Sequence, residues 1–254
     1  MRCGISCLIS ELPEPLSVRR LVCFSSAIHE GTLTVEGVTA RRVENIEEAW
    51  QIMAAHEITV MVDPDLAITQ LMQPAVVVDG RMMKKADSSP SILSTIVIGL
   101  GPGFYAGRDC RAVIETNRGP KMGRVIWFGA TEPDTGIPEQ VNQFSNDRVL
   151  RAPADGIIKT FTSIPDQVMA GQLIGEVEGI PIKAKFTGIV RGLLRNGSSV
   201  QSGMKIGDLD PRNNAALARM ISEKSLAVGG GVLEALLSDQ QLRKLLLCGD
   251  DEVS

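Results

Sequence analysis

Two stretches of the sequence, RAPADGIIKTFTSIPDQVMAGQLIG at residues 151–175 and KAKFTGIVRGLLRNGSSVQSGMKIG at residues 183–207, align without gaps at an offset of 32 residues. The aligned positions keep the glycines and the apolar residues, as in Gly156 with Gly188, Val168 with Val200, and Ile174 with Ile206. Each copy predicts a strand, a turn and a second strand, and neither copy can bury its apolar face alone. The repeat therefore predicts a flattened β module with approximate twofold symmetry.

This repeated segment resembles the biotinyl/lipoyl-like barrel-sandwich hybrid family over residues 149–208. Carriers in that family hold their modified lysine at the tip of the hairpin between the two halves. Here the join reads EVEGIPIK at residues 176–183, and its tip contains no lysine. Lys183 and Lys185 fall in the strand that opens the second copy, where a paired strand cannot present an amine as a protruding turn can. We expect the module to dock another protein or to pack on its neighbour, and a carrier protein is the weaker alternative.

The composition narrows the classes of function. The chain has 254 residues, 44% hydrophobic and 22% charged, with a net charge of −4 and no long basic run, which argues against nucleic-acid binding. Five cysteines form no CxxC pair and only two histidines are present, so neither a zinc site nor a Ser-His-Asp triad is expected. No apolar run approaches the roughly 20 residues of a membrane span, and no signal peptide opens the chain. We expect a cytoplasmic protein.

Residues 5–98 alternate strand-like runs with helical patterns, which predicts a Rossmann-like, mostly parallel sheet. A helix is expected over residues 15–28. The first strand ends in Glu11, which is predicted to accept a hydrogen bond from a ribose hydroxyl, as the acidic end of the second strand does in that fold. The glycine-rich turn that should precede this strand is absent, so the sheet is expected to lack its first strand. Either the assigned start lies too late or the turn has been lost.

A glycine-rich turn, GLGPGF at residues 99–104, ends a further strand. Its glycines permit positive φ and could form an anion-binding nest, but the Gly-Lys-Ser/Thr ending of a P-loop is missing. The residues that follow, CRAVIETN, RGPKMG and RVIWFG, predict a β-hairpin. A glycine-rich connection without a ligand remains the alternative. The predicted domains are 1–148 (Rossmann-like with the hairpin), 149–210 (barrel-sandwich hybrid) and 211–254 (C-terminal helices).

Several motifs along the chain are similar to the YqeB family of accessory proteins of the selenium-dependent molybdenum hydroxylase system. They are VVVDGRMMKK (76–85), the block from VIGLGPGF to RVIW (97–127), EPDTGIP (132–138), VLRAPADG (149–156), GMKIGDLDPR (203–212) and ISEKSLAVGGGVLEALL (221–237). The resemblance implies a cytosolic maturation or cofactor-handling factor. Family members carry a GAGDLATG-type turn before the segment ELPEPLSVRR, and this chain does not. Nucleotide binding is the property that this departure puts in question.

We expect the site where the strand ends meet the glycine turn. The amides of Gly99, Gly101 and Gly103 are predicted to bind a phosphate or pterin-phosphate oxygen. Asp79 would accept a hydrogen bond from a ribose or pterin donor, and Arg81 would bind phosphate through two donors. The remaining predicted site residues follow within one short stretch, and they are Asp109, Cys110, Glu115, Asn117 and Arg118.

Cys110 and Asp109 are the predicted catalytic residues. Between Arg108 and Arg111, the Cys110 thiolate would have a lowered pKa and could hold sulfur or selenium as a persulfide-like adduct. The alternatives are a buried strand cysteine for Cys110, a turn residue for Asp109 and a solvated hairpin tip for Arg118.

Two functions stay open at this point. The first is a binding and maturation protein for a nucleotide-bearing molybdenum cofactor or its selenium ligand, with a molybdenum hydroxylase or other maturation proteins as partners. The second is a Rossmann-type enzyme that acts on a bound dinucleotide, which the scarcity of histidine and the missing glycine turn disfavour. The sequence leaves the ligand, the catalytic turnover and a homo-oligomeric state undetermined.

Overall fold

A computed structural model of the chain describes residues 3–81, 96–134 and 146–247. The fold is mixed α/β, with several parallel and antiparallel sheets and C-terminal helices. The chain divides into two compact units, the first made of Met1–Pro64 and Ile137–Ile221 and the second of Asp65–Gly136 and Ser222–Ser254. Each unit contains residues from more than one of the predicted domains. The predicted domain boundaries stay predictions.

The described strands are β1 (Leu8–Glu11), β2 (Thr32–Val35), β3 (Val38–Arg42), β4 (Ile58–Val62), β5 (Val76–Asp79), β6 (Ile96–Leu100), β7 (Tyr105–Ala106), β8 (Ala112–Ile114), β9 (Val125–Ile126), β10 (Gly129–Ala130), β11 (Val149–Arg151), β12 (Gly156–Thr160), β13 (Gln167–Val168), β14 (Leu173–Val177), β15 (Ile180–Lys183), β16 (Gly188–Leu193), β17 (Ser199–Val200) and β18 (Lys205–Asp210). The α-helices are α1 (Ala27–Glu30), α2 (Ile46–Ala54), α3 (Ile68–Met72), α4 (Glu223–Ser238) and α5 (Gln240–Leu247). Short 3-10 turns cover Arg20–Val22, Phe24–Ser26, Asn146–Arg148 and Ala215–Arg219.

The first unit opens with a sheet in the order β1-β4-β3-β2. β4 pairs in parallel with both β1 and β3, while β2 and β3 form an antiparallel hairpin. The crossover helix α2 is capped by the Asn45 side chain, which accepts a hydrogen bond from the Glu48 amide. The alternation of strand and helix thus predicted the parallel pairing correctly. β5 and β6 lie in a different sheet, so the strands that the sequence suggested as one layer are divided between two.

The prediction of a helix over residues 15–28 is wrong. This segment contains only the 3-10 turns and the four-residue α1. The Val18 carbonyl accepts a hydrogen bond from the Leu193 amide at 2.8 Å, and Arg20 Nε donates to the Leu193 carbonyl at 2.8 Å. Because this segment bonds to β16, its backbone groups satisfy partners outside the segment instead of partners one helical turn away.

The repeat is confirmed in the strands of residues 149–210. β12, β13 and β14 recur as β16, β17 and β18, whose first residues lie 32 positions later. They form two four-stranded sheets, in the orders β11-β18-β16-β13 and β15-β14-β12-β17. Both copies supply one apolar core, with Ile158 and Ile174 from the first and Val190 and Ile206 from the second. Each half therefore buries its apolar face against the other.

The hairpin between β14 and β15 has no lysine at its tip, as predicted. Its turn residues are Glu178 and Gly179, with φ of 49° and 75°. Lys183 lies in β15 opposite Leu173, and Lys185 forms an ion pair with Asp147 at 3.0 Å. Neither lysine occupies the position of a carrier arm.

An ionic cluster surrounds β18. Asp208 and Asp210 are 3% and 1% exposed, and arginines from four segments pair with them. Arg19 and Arg148 contact Asp208 at 2.8 and 3.4 Å, and Arg191 and Arg212 contact Asp210. Burial and the nearby Arg19 lower the pKa of Arg191 to about 10. Burial alone would raise the pKa of Asp210, but hydrogen bonds from Arg212 lower it below its usual range.

The second unit has a sheet in the order β5-β6-β8-β9 and a small antiparallel pair of β7 and β10. β5, β6 and β8 are parallel, and β9 closes the predicted hairpin with β8. α4 packs on β6, β8 and β9. No helix within the described ranges is both long enough and apolar enough to cross a membrane.

We predict that Asp208→Asn lowers the free energy of unfolding by about 3 kcal/mol, because it removes the carboxylate that neutralises Arg148 and Arg19 in a buried setting. The matched control is Asp147→Asn, which removes an exposed carboxylate from its pair with Lys185 and should cost under about 1 kcal/mol. Urea unfolding followed by circular dichroism measures both values. Equal losses in the two variants would contradict a stabilising role for the buried cluster.

Candidate functional site

The candidate site lies at the carboxyl edge of the parallel strands in the second unit. Asp79 at the end of β5 pairs in register with Gly99, and Gly99 pairs with Val113 of β8. Since parallel strands end at the same edge, the turns that follow β5, β6 and β8 leave the sheet side by side. The structure thus brings Asp79 and Arg81, the glycine turn, and the stretch from Glu115 to Arg118 to one edge.

Asp79 and Arg81 bind each other. Asp79 is 8% exposed, and its Oδ2 accepts from Arg81 Nη2 at 2.7 Å while Oδ1 accepts from Nε at 3.0 Å. The Arg81 amide also donates to Oδ1, at 3.1 Å. A phosphate that bound Arg81 would therefore compete with the buried Asp79 carboxylate, which already accepts hydrogen bonds from Nε and Nη2 of the guanidinium.

The glycine turn is shaped by packing. A Cβ at Gly99 would lie 2.5 Å from the Phe104 ring, and one at Gly101 would lie 2.5 Å from Thr116 Oγ1. Gly101 and Gly103 have φ of 72° and 106°, in agreement with the expected positive φ. The Gly101 amide donates to the Ile114 carbonyl at 2.9 Å, so it is already engaged. Anion binding by the Gly103 amide stays a prediction. For the Gly101 amide to bind an anion, its hydrogen bond to the Ile114 carbonyl would have to break.

Glu115 holds the loop after β8 in place. Its side chain is almost fully buried, at 1% exposure, and it accepts from the Asn117 amide at 2.7 Å and the Glu132 amide at 2.8 Å. Asn117 Nδ2 and Lys121 Nζ donate to Glu132 at 2.8 and 2.9 Å. These bonds, the one from Asn117 first, lower the pKa of Glu132. Glu115 and Asn117 therefore position the loop, and the carboxylate they help to orient is that of Glu132.

Positive charge at this loop comes from two elements. Arg118 forms an ion pair with Glu223 at the start of α4. Lys224, the next residue, has its pKa lowered by burial and by Arg118, while Asp134 and Glu115 oppose this shift. Lys224 and Glu132 were not predicted as site residues from the sequence, although both lie in motifs of the family resemblance. Among residues 3–81, 96–134 and 146–247, no three His, Cys, Asp or Glu side chains form a metal-binding group.

Cys110 is not an activated thiolate. Burial raises the pKa of Cys110, the charges of Asp109 and Asp79 raise it further, and the Gly99 amide opposes them. The expected lowering of this pKa is wrong, because Arg108 pairs with Asp109 and Arg111 lies 4.0 Å from Asp239. The thiol is therefore protonated at neutral pH. A catalytic role for Cys110 stays a prediction.

Asp109 caps a turn. Its Oδ2 accepts from the Tyr105 amide at 2.9 Å, and its carboxylate takes a forked pair of bonds from Arg108. The bond from Arg108 is the main reason that the pKa of Asp109 is lowered. Glu11 lies in the first unit, where it ends β1 and accepts from the Leu12 amide at 2.8 Å. The other predicted site residues belong to the second unit.

The backbone of α4 packs directly against the backbone of the hairpin loop. A Cβ at Gly231 would lie 2.1 Å from the Gly123 carbonyl oxygen, and one at Gly123 would lie 2.5 Å from the Ala227 carbonyl oxygen. Gly229 and Gly230 have no atom within 4 Å of such a Cβ. The close contact at Gly231 fixes α4, and with it Glu223 and Lys224, beside the loop.

The chain is similar in sequence to a known bacterial protein. No protein-family model matches the chain. The chain is 42% identical over 234 residues, 92% of its length, to the uncharacterized protein YqeB of Escherichia coli K12. The match supports the YqeB family. The chain spans 43% of the length of YqeB, so the activity and partners of that whole protein are matters for proposal.

Solved structures that overlap the chain are only partly similar to it. An aspartoacylase family protein from Mesorhizobium loti has 25% identity over 25% of the chain and 23% of its own length, with a TM-score of 0.23. The ectoine utilization protein EutE (DoeB) from Ruegeria pomeroyi, in its product-bound form, has 21% identity over 32% of the chain and 26% of its own length, with a TM-score of 0.24. With TM-scores of 0.23 and 0.24, these structures share only local features with the chain.

We predict opposite effects for alanine at two neighbouring glycines. Gly231→Ala should lower the free energy of unfolding by about 1–3 kcal/mol, because its Cβ overlaps the Gly123 carbonyl. Gly230→Ala, in open space on the same helix, should raise it by up to about 1 kcal/mol through helix propensity. Urea unfolding measures both. A stabilising Gly231→Ala would mean that the contact between α4 and the loop is looser than described.

The protonated state of Cys110 predicts its reactivity. Iodoacetamide at neutral pH should modify buried Cys110 at least about tenfold more slowly than exposed Cys3 in the native protein. In urea the difference should disappear. Peptide mass spectrometry at timed intervals measures both rates, and fast native labelling of Cys110 would contradict a buried neutral thiol.

Proposed function

We propose that the chain is an accessory factor in the maturation of selenium-dependent molybdenum hydroxylases, and that it binds a nucleotide-bearing molybdenum cofactor. The observation that carries this proposal is the carboxyl edge of β5, β6 and β8, where a buried aspartate, a glycine turn and a polar loop meet. Open α/β sheets bind their ligands in that position. The similarity to YqeB over 92% of the chain supports the same family assignment.

The residues at this edge suit the donor groups of such a ligand. Asp79 would accept hydrogen bonds from pterin, guanine or ribose donors, and Glu132 offers a second carboxylate nearby on the loop. Arg81 and Arg118 would bind the phosphates, in exchange for Asp79 and Glu223. When bound, the cofactor supplies the redox chemistry of the molybdenum centre, and the chain supplies recognition. Binding therefore exchanges internal ion pairs for ligand contacts.

The cofactor-binding form of the proposal is better supported than selenium transfer through a cysteine. A persulfide-like or selenium adduct requires a thiolate that attacks or accepts the chalcogen. Burial raises the pKa of Cys110 and so disfavours that state. Within the proposal, Cys110 fills space beside Gly99 as a small apolar residue.

The finer fold assignments belong to this proposal. We interpret the parallel strands as Rossmann-like and the repeat of residues 149–210 as a barrel-sandwich hybrid module. Because Lys183 and Lys185 are engaged in a strand and an ion pair, the module would recognise a hydroxylase or another maturation protein and would not carry a covalent group. The repeat thus provides a docking domain.

A complementation experiment tests the proposal. In cells that lack the chromosomal copy, Asp79→Asn should reduce the activity of a selenium-dependent molybdenum hydroxylase at least about tenfold, because it removes the negative charge and replaces one buried acceptor oxygen by an amide donor. Glu57→Gln, which removes a partly buried carboxylate paired with Arg41 in the first unit, is the control and should retain activity. Thermal unfolding of each purified variant shows that it folds.

Two results would count against this account. Full hydroxylase activity with Asp79→Asn would remove the strand edge from the mechanism. Loss of activity with a folded Cys110→Ser, together with activity retained by Asp79→Asn, would assign the role to selenium handling at Cys110.

A further inference from the structure

A small polar pocket lies within the first unit, and none of the predicted site residues lines it. Its enclosed space is about 10 Å³, and the whole depression measures about 250 Å³ when the space open to solvent is included. Its lining combines two guanidinium groups, one imidazole, two hydroxyls and one carboxylate, supplied by Arg20, Arg195, His29, Ser17, Ser26 and Glu30. An enclosed space of this size has room for only one water-sized group or a few bonded atoms. A ligand of this pocket is therefore small.

Two arginines give the pocket its positive side. Arg20 is fixed by its Nε bond to the Leu193 carbonyl, and Arg195 follows β16 with an exposed side chain. Within the described residues, no hydrogen bond or ion pair holds the Arg195 guanidinium. Burial lowers the pKa of Arg20, Glu30 opposes this effect and Arg195 adds to it. The two positive charges thus repel each other where Arg20 is partly desolvated. An anion bound between them would relieve this repulsion.

Hydroxyl groups border the cations in fixed positions. Ser17 Oγ lies 2.6 Å from Ser25 Oγ and 3.3 Å from Cys23 Sγ, and Cys23 Sγ lies 3.0 Å from Ser25 Oγ. Ser26 Oγ donates to the Arg20 carbonyl at 2.8 Å, which ties the lining to the backbone. Hydroxyls beside paired guanidinium groups are donors that suit the oxygens of a tetrahedral anion.

The carboxylates at the pocket limit which anions can bind. Glu30 lines it, and exposed Glu14 lies 3.5 Å from His29 Nε2. The two carboxylates balance the charge of the two arginines. Recognition must therefore rest on the close pair of Arg20 and Arg195 and on the hydroxyls, and it favours a compact anion that fits between them over a long acidic chain.

We propose that this pocket binds a compact tetrahedral oxyanion, either inorganic phosphate or the phosphate group of a small phosphomonoester, between Arg20 and Arg195. The site lies in the first unit and does not depend on the function proposed for the second. Arg20 supplies a forked donor, Arg195 closes over the anion from the turn after β16, and Ser17 donates a hydroxyl hydrogen bond. Glu30 weakens the binding of the anion by repulsion.

Calorimetric titration of the full chain with inorganic phosphate, and separately with glycerol 3-phosphate, tests the site. Arg195→Gln should weaken binding of both at least about tenfold, the loss expected for one charge-assisted hydrogen bond to an anion. Arg243→Gln, an exposed arginine of α5 that does not line the pocket, removes the same charge and should leave binding unchanged. Tighter binding of one probe than of the other tells which source of phosphate the pocket prefers.

A second variant predicts a change of opposite sign. Glu30→Gln removes the repelling carboxylate and should strengthen phosphate binding by about threefold to tenfold. Circular dichroism confirms that each variant folds. The proposal is overturned if the unmodified chain binds neither probe, if Arg195→Gln and Arg243→Gln weaken binding equally, or if Glu30→Gln weakens it.

Discussion

The parallel pairing of β5, β6 and β8 is the constraint on which the candidate site depends. Once Asp79, Gly99 and Val113 share a register, the turns after the three strands must leave the sheet at the same edge. Glycine at position 99 makes room for Phe104, and glycine at position 123 lets α4 approach the hairpin loop. The site is thus a consequence of strand direction and close packing, without any specialised binding motif.

The charged groups at this edge are arranged as closed pairs. Arg81 binds Asp79, Arg118 binds Glu223, and Lys121 binds Glu132. Such an arrangement is stable without a ligand, because each charge has an opposite charge within reach. A ligand that carries both hydrogen-bond donors and phosphates could pair with the carboxylates and the cations at the same time. The ion pairs within the protein would then be replaced by contacts with the ligand at a small net electrostatic cost. The pocket between Arg20 and Arg195 differs, since the Arg195 guanidinium has no such partner among the described residues.

The features predicted correctly were those encoded by local periodicity. The 32-residue repeat and the hairpin of β8 and β9 could both be inferred from glycines and apolar residues at fixed spacing. The segment around Val18 and Arg20 was predicted as a helix because its bonds to Leu193 are not visible in the local sequence. Cys110 was assigned a low pKa from its neighbours along the chain, whereas burial decides that pKa. Lys224 was missed because the packing of α4 alone brings it to the loop.

The central claim, that this chain holds a nucleotide-bearing molybdenum cofactor, is tested most directly by native mass spectrometry of protein purified from cells that make the cofactor. The account predicts a noncovalent adduct with the mass of a pterin dinucleotide, released by mild denaturation, and molybdenum in the same fractions. Protein that carries no such adduct, from cells whose hydroxylases are fully loaded, would contradict it.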